Sequence, residues 1–154
     1  MLRTRQQLSK EDCIRLLCDE KRGVLSLIGD EGYPYGIPMD HWYDPEDGCL
    51  YFHCGKKGHK LDAIAACPKA SYCVYDEGTR EAGNWYLTFR SVIVFGTIEI
   101  LTDPDAALHA VRQLSLKFTD DLSYIEREIQ DSYRNTTVFR LVPQHISGKT
   151  VNEL

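Results

Sequence analysis

The stretch Tyr51-Phe52-His53-Cys54-Gly55-Lys56-Lys57-Gly58-His59-Lys60-Leu61-Asp62-Ala63-Ile64 passes from a short apolar run, through a glycine-punctuated basic turn, into an amphipathic segment. That order predicts a strand, an anion-binding turn and a helix that starts near Gly58. Gly55 and Gly58 permit backbone conformations that strain other residues, so main-chain N–H groups can turn towards an oxyanion. Lys56, Lys57, His59 and Lys60 add positive charge, and the helix start adds unpaired donors and the positive end of a dipole. Two readings stand side by side: a phosphate site, or a solvated basic turn of the kind that charge runs usually form.

The rest of the chain sets this turn in relief. With 154 residues there is room for one domain over 1–154 and one core, and not for separate cofactor and substrate domains. A hydrophobic fraction of 43% and a charged fraction of 27% are those of an ordinary globular protein. The net charge of -5 argues against general nucleic-acid binding, which needs many Lys and Arg against phosphates. No apolar run has the roughly 20 residues that span a bilayer, and Met1-Leu2-Arg3-Thr4-Arg5-Gln6-Gln7 is followed by no apolar signal core, so the expected location is the cytoplasm, with no membrane partner. Cys13, Cys18, Cys49, Cys54, Cys67 and Cys73 then read as reduced, mostly packed thiols, none of them in a C-x-x-C pair.

Working outward from the turn, Ser9 caps a short helix over Lys10 to Cys18, with Gly23 as its C-terminal signal. Val24 to Ile28, the turn Gly29-Asp30-Glu31-Gly32 and the run Tyr35 to Tyr43 read as a hairpin, with Pro38 marking an edge or a break in pairing. Asp44 to Gly48 is a turn and Cys49 to His53 a strand. The helix after the basic turn, Leu61 to Ala66, closes at Cys67-Pro68, and Ala70 to Asp76 is again a strand. After a polar loop from Glu77 to Asn84, Trp85 to Leu101 reads as one long strand bent at Gly96. Asp103-Pro104 starts a helix to about Phe118, a second covers roughly Ser123 to Ser132, and Thr136 to Val142 is the last strand. Sequential hairpins with helices between strands predict an antiparallel barrel with peripheral helices.

In order along the chain, Arg22-Gly23-Val24-Leu25-Ser26-Leu27, Gly32-Tyr33-Pro34-Tyr35-Gly36-Ile37-Pro38-Met39, Leu50-Tyr51-Phe52-His53, Gly58-His59-Lys60, Asn84-Trp85 and Arg90-Ser91-Val92-Ile93-Val94-Phe95-Gly96 resemble the flavin-binding split-barrel proteins of the pyridoxamine phosphate oxidase-like superfamily, with the nitroimidazole-resistance flavoproteins as the nearest branch. The resemblance implies a mainly β (α+β) fold, a six-stranded Greek-key split barrel with peripheral helices, a homodimer, and FMN in each of two clefts between subunits. It gives Lys60 and His59, with Lys57 and Gly58 in the same turn, to the FMN phosphate. It lays the backbone of Pro38, Met39, Asp40 and His41 along the flavin ring, with Tyr51, Phe52 and His53 on the adjoining strand. Arg90 and Ser91 stand where the oxidase branch has an arginine–glutamine pair near the flavin. No counterpart of that branch's C-terminal substrate-binding arginine pair is present, which favours an FMN-dependent oxidoreductase of small electron-poor substrates, nitroaromatics such as nitroimidazoles among them, over vitamin B6 oxidation.

The residues agree with such a cofactor: a cationic turn, small donors and an apolar wall are what a phosphate, a ribityl chain and a flat ring require. The chain carries no nucleophile constellation, and flavin chemistry needs none. A zinc site built from Cys49, His53, Cys54, His59 and Cys67 is disfavoured, because His53 and Cys54 are adjacent on a strand and point to opposite faces. His53 either lines the cleft or is a satisfied structural histidine, and His41, beside Trp42, either serves the site or faces solvent. Two other readings remain open: a non-enzymatic flavin- or haem-binding barrel, with His41, His53, His59, His109 or His145 as a haem ligand, and a deazaflavin-dependent reductase.

Overall fold

The structure is a computed structural model and describes residues 6–152. Three of its four helices start on a side chain that the sequence supplies for the purpose. Ser9 accepts from the Asp12 amide at 3.0 Å ahead of α1 (Lys10–Asp19), Asp103 with Pro104 opens α3 (Pro104–Leu116), and Asp121 accepts from the Tyr124 amide at 3.0 Å ahead of α4 (Leu122–Ser132). The helix α2 (His59–Ala66) instead follows Gly58, with no side-chain cap.

The strands β1 (Arg22–Ile28), β2 (Pro34–Asp40), β3 (Trp42–Tyr43), β4 (Leu50–Gly55), β5 (Lys69–Tyr75), β6 (Thr88–Ile100) and β7 (Thr136–Asn152) form one antiparallel sheet in the order β2-β1-β5-β6-β7-β4-β3. Residues 40 and 42 therefore lie on the two opposite edges of the sheet with only His41 between them. A sheet can satisfy that connection only by curling until its edges meet, which makes it a barrel with its seam at His41. The strand expected over Tyr35 to Tyr43 is cut in two there, and this raises the count from six to seven.

Other boundaries move for local reasons. Gly23 does not end a helix: α1 stops at Asp19, and Gly23 sits inside β1 where a Cβ would fall 2.5 Å from the Cys73 carbonyl and 2.7 Å from the Tyr72 ring. The long strand begins at Thr88 and not at Trp85, which stands 77% exposed in the preceding loop. β7 runs ten residues past Val142, because the polar tail from Pro143 keeps its backbone paired with β6. The bend expected at Gly96 is a register shift between Phe95 and Gly96: Phe95 faces His145 while Gly96 faces Pro143, so Gln144 is the extra residue of a bulge.

Alternation fills the barrel. Leu25, Leu27, Phe52, Tyr72, Val74, Val92, Val94, Phe139 and Leu141 point inward, and Leu16 and Leu17 of α1 close one end. Phe52 stacks on Phe139 at 5.2 Å, and full burial of such a ring contributes about 1.5–3 kcal/mol. A second, smaller cluster of Cys49, Tyr51, Ala107, Ala110 and Val138 lies beneath α3. The outer face of β1, β5 and β6 carries exposed apolar side chains around Ser26 and Ser71, and no described residue covers them. Register places Ser26, Ser71 and Phe95 in one row and Val24, Cys73 and Ile93 in the next, with Ile28 48%, Phe95 49% and Ile93 38% exposed. No helix among the described residues is long and apolar enough to cross a membrane.

Candidate functional site

The seam explains where a cleft opens. Trp42 pairs with Tyr51 and Tyr43 with Leu50. Carried back along the chain, that register would set His41 opposite Phe52 and Asp40 opposite His53. Those pairs do not form: β2 hydrogen-bonds only to β1, and its outer edge diverges from β4. Pro38, with no N–H to offer, is well placed on such an unpaired edge. The gap is a cleft of about 350 Å³ lined by Arg22, Pro38, Met39, Asp40 and His53.

Four of these five residues are ones the sequence assigns to the cofactor. Arg22 is the addition. It opens β1 opposite Asp40, and its Nε donates to Asp40 Oδ1 at 2.6 Å, a bond that holds the guanidinium charged. The only sequence signal for it was its place at the head of the strand that carries the family likeness. His53 reaches the cleft from β4. Its crowded surroundings push its pKa down, with Lys60 acting in the same direction and Asp40 against it, so the ring is a neutral donor or acceptor near neutral pH.

β4 carries the cleft residue His53 and then Cys54 and Gly55 straight into the basic turn, and the Lys60 charge acts on both His53 and Cys54. Gly58 has φ +136°, a conformation that L side chains rarely adopt, and there it starts α2 without a side-chain cap. Gly55 does not share that feature. His59 turns away from the lysines: its ring packs edge-on against Tyr35 at 4.6 Å, and Nδ1 lies 3.6 Å from Asp30 at the β1–β2 turn. Lys56 and Lys57 are exposed.

The other residues assigned to the site do not line this cleft with their side chains. His41 neither faces solvent nor lines the cleft with its ring. It is 0% exposed, Nε2 is 2.7 Å from the Leu17 carbonyl and Nδ1 2.9 Å from the Tyr72 hydroxyl, and its own carbonyl accepts from Lys117 Nζ at 2.9 Å. Burial and the nearby Lys117 charge lower its pKa to about 4. Phe52 belongs to the barrel core, so it has only backbone to offer. Tyr51 points under α3, 5.2 Å from Trp42; its hydroxyl donates to Asp47 and accepts from Arg140, and burial raises its pKa to about 12. Arg90 is tied to Asp76, through its amide to Oδ1 and through Nε to Oδ2, both at 2.8 Å. Ser91 pairs with Tyr75 and Lys149 on the neighbouring strands. Among the described residues no group of three or more His, Cys, Asp or Glu side chains could hold a metal, and of the thiols expected to be packed, Cys13 and Cys49 are buried, Cys54, Cys67 and Cys73 half-buried and Cys18 exposed.

A family model described as pyridoxamine 5'-phosphate oxidase matches residues 9–150. Among solved structures, a candidate 5-nitroimidazole antibiotic resistance protein from Bacteroides thetaiotaomicron superposes with a TM-score of 0.78 at 18% identity, over 95% of this chain and 87% of that one. An FAD-binding protein from Mesorhizobium loti gives 0.69 at 22% identity over 95% and 97% of the two chains. An FAD- and haem-binding protein from Mycobacterium smegmatis gives 0.75 at 23% identity over 94% and 72%. No curated protein matches.

Proposed function

The chain belongs to the pyridoxamine 5'-phosphate oxidase family, and from that premise we propose that it is a cytoplasmic FMN-dependent reductase of small electron-poor acceptors, nitroaromatics among them. The observation that carries the reading is the junction of the β2–β4 cleft with a cationic turn. One holds Pro38, Met39, Asp40, His53 and Arg22, the other Gly58 and Lys60. A flavin mononucleotide needs both halves: a wall for a flat ring and a positive, donor-rich end for a phosphate. The uncapped start of α2 offers N–H donors, and Lys60 offers an ammonium. Bound FMN would supply the hydride chemistry. The chain's own part is to orient the ring against β2, present His53 as a neutral polar neighbour, and exclude water. Two of the three structural neighbours are named as FAD-binding proteins and the third as a nitroimidazole resistance protein, which supports a flavin and an electron-poor acceptor.

The working unit in this reading is a homodimer. The outer face of β1, β5 and β6 exposes Ile28, Ile93 and Phe95 beside Val24 and Cys73, an apolar surface of the kind that a second copy covers. The cleft is open to solvent on one side, which leaves room for a partner's wall. The test is the chromophore: protein purified from its expression host and denatured should release FMN in near one-to-one amount with the chain. Release of haem or a deazaflavin, or protein that neither carries FMN nor takes it up, would replace the reading.

A further inference from the structure

The three contacts around His41 require more protons than a neutral ring and one hydroxyl possess. Nε2 faces the Leu17 carbonyl at 2.7 Å and must donate to it. The Tyr72 hydroxyl lies 2.7 Å from the Met39 carbonyl and 2.9 Å from His41 Nδ1. With the ring proton on Nε2, Nδ1 is a lone pair, and the one phenolic proton is divided between Nδ1 and Met39. A second ring proton removes the conflict: Nδ1–H then donates to Tyr72, and the phenolic proton goes wholly to Met39. We infer that His41 and Tyr72 are positioning residues that hold the Met39 wall of the cleft, and that the strength of their hold is set by the protonation state of the His41 ring.

The position of Met39 gives this consequence. Its backbone joins Pro38 to Asp40 along the diverging edge of β2, where the ladder to β1 holds one side of the strand and the Tyr72 hydroxyl adds a tether at the Met39 carbonyl. The groups that face the ring are the Leu17 carbonyl of α1, Tyr72 of β5, Lys117 at the end of α3, and Asp40 beside it, itself paired with Arg22 of β1. Lys117 donates to the Glu20 and His41 carbonyls, and burial lowers its own pKa to about 8. Its charge and the burial of the site keep the ring neutral at physiological pH. Asp40 opposes them, so a change in charge at the mouth of the cleft is felt by the ring. Gly23 makes room for the arrangement, since a Cβ there would lie 2.9 Å from the Tyr72 hydroxyl oxygen.

The inference rests on the flavin reading only for its effect on cofactor binding, and a flavin-free measurement separates the two. The sequence has two methionines, Met1 and Met39. Methionine-methyl 13C labelling of the apoprotein therefore reports Met39, and imidazole 15N signals report His41, over pH 3.5–8 with circular dichroism as a check of folding. The Met39 resonance should shift with the midpoint of the His41 ring, keep that titration in Asp40→Asn, and lose it in His41→Gln. In Tyr72→Phe the ring should still titrate while Met39 no longer follows. A Met39 signal that stays flat as His41 titrates, that titrates unchanged in His41→Gln, or that moves only because the protein unfolds overturns the inference. In the functional arm, the FMN dissociation constant should change by about tenfold for each pH unit by which FMN moves the His41 titration, and Tyr72→Phe should abolish the change. A dissociation constant flat across the His41 midpoint contradicts a hold on the cofactor wall. No FMN binding at any pH, with the NMR coupling intact, refutes the flavin reading and leaves the positioning pair standing.

Discussion

At the scale of single residues, charge and backbone freedom are concentrated in the turn ahead of α2. Lys60→Ala should weaken FMN binding by about 1.5–3 kcal/mol, the scale of a charge-assisted hydrogen bond, as read by fluorescence titration; equal affinity for variant and parent would remove Lys60 from the phosphate. Gly58→Ala forces a side chain onto φ +136°, a strain of about 1–3 kcal/mol, and should lower thermal stability and FMN affinity together. Gly55→Ala, whose Cβ meets nothing within 4 Å, should leave both nearly unchanged. The basic turn was legible because lysines and glycines announce themselves by type. His41 and Arg22 were not. The sequence places His41 beside Trp42 but cannot say that its ring turns into the barrel, and Arg22 gains its role only when β1 brings it opposite Asp40.

Elements meet at the seam, and the seam titrates. His41 has a pKa of about 4 in the folded chain against about 6.5 when unfolded, so the unfolded state binds more protons between those values. Its contribution is complete above pH 6.5 and lost as the pH falls towards 4, a change of about 3 kcal/mol. Denaturant melts at pH 7 and pH 4.5 should show a smaller loss in His41→Gln than in the parent; an equal loss in both would assign acid sensitivity to other groups. The existence and type of most elements followed from periodicity and caps, as Ser9, Asp103 and Asp121 illustrate. The break at His41 did not, because the strand-disfavouring residues Gly36, Pro38 and Asp40 all fall inside β2 and none marks His41; only the closure of the barrel separates one edge from the other. The far half of β7 escaped for the opposite reason: Gln144, His145, Ser147 and Lys149 read as a polar tail, while pairing with β6 is a tertiary event.

For the molecule as a whole, the proposed dimer would cover the exposed apolar side chains of β1, β5 and β6 and add a wall to the cleft. Ile93→Asp with Phe95→Asp should shift sedimentation from dimer to monomer and release bound FMN; a monomer that keeps its flavin would divorce the cofactor from the interface. Barrel, cleft and basic turn were largely readable in the order of motifs along the chain. The identity of the acceptor was not, since in the proposed dimer the cleft would take its walls from both copies. The proposed function is to position a flavin for the reduction of electron-poor molecules. Its most direct test is anaerobic stopped-flow: FMN-loaded protein, reduced photochemically, is mixed with a panel of nitroimidazoles and quinones and compared with free reduced FMN. At least one acceptor should reoxidise the protein-bound flavin faster than the free flavin, through orientation and exclusion of water in the cleft. If every acceptor reacts more slowly with the bound flavin than with the free one, while FMN stays tightly held, the protein is a flavin carrier and the reductase account is wrong.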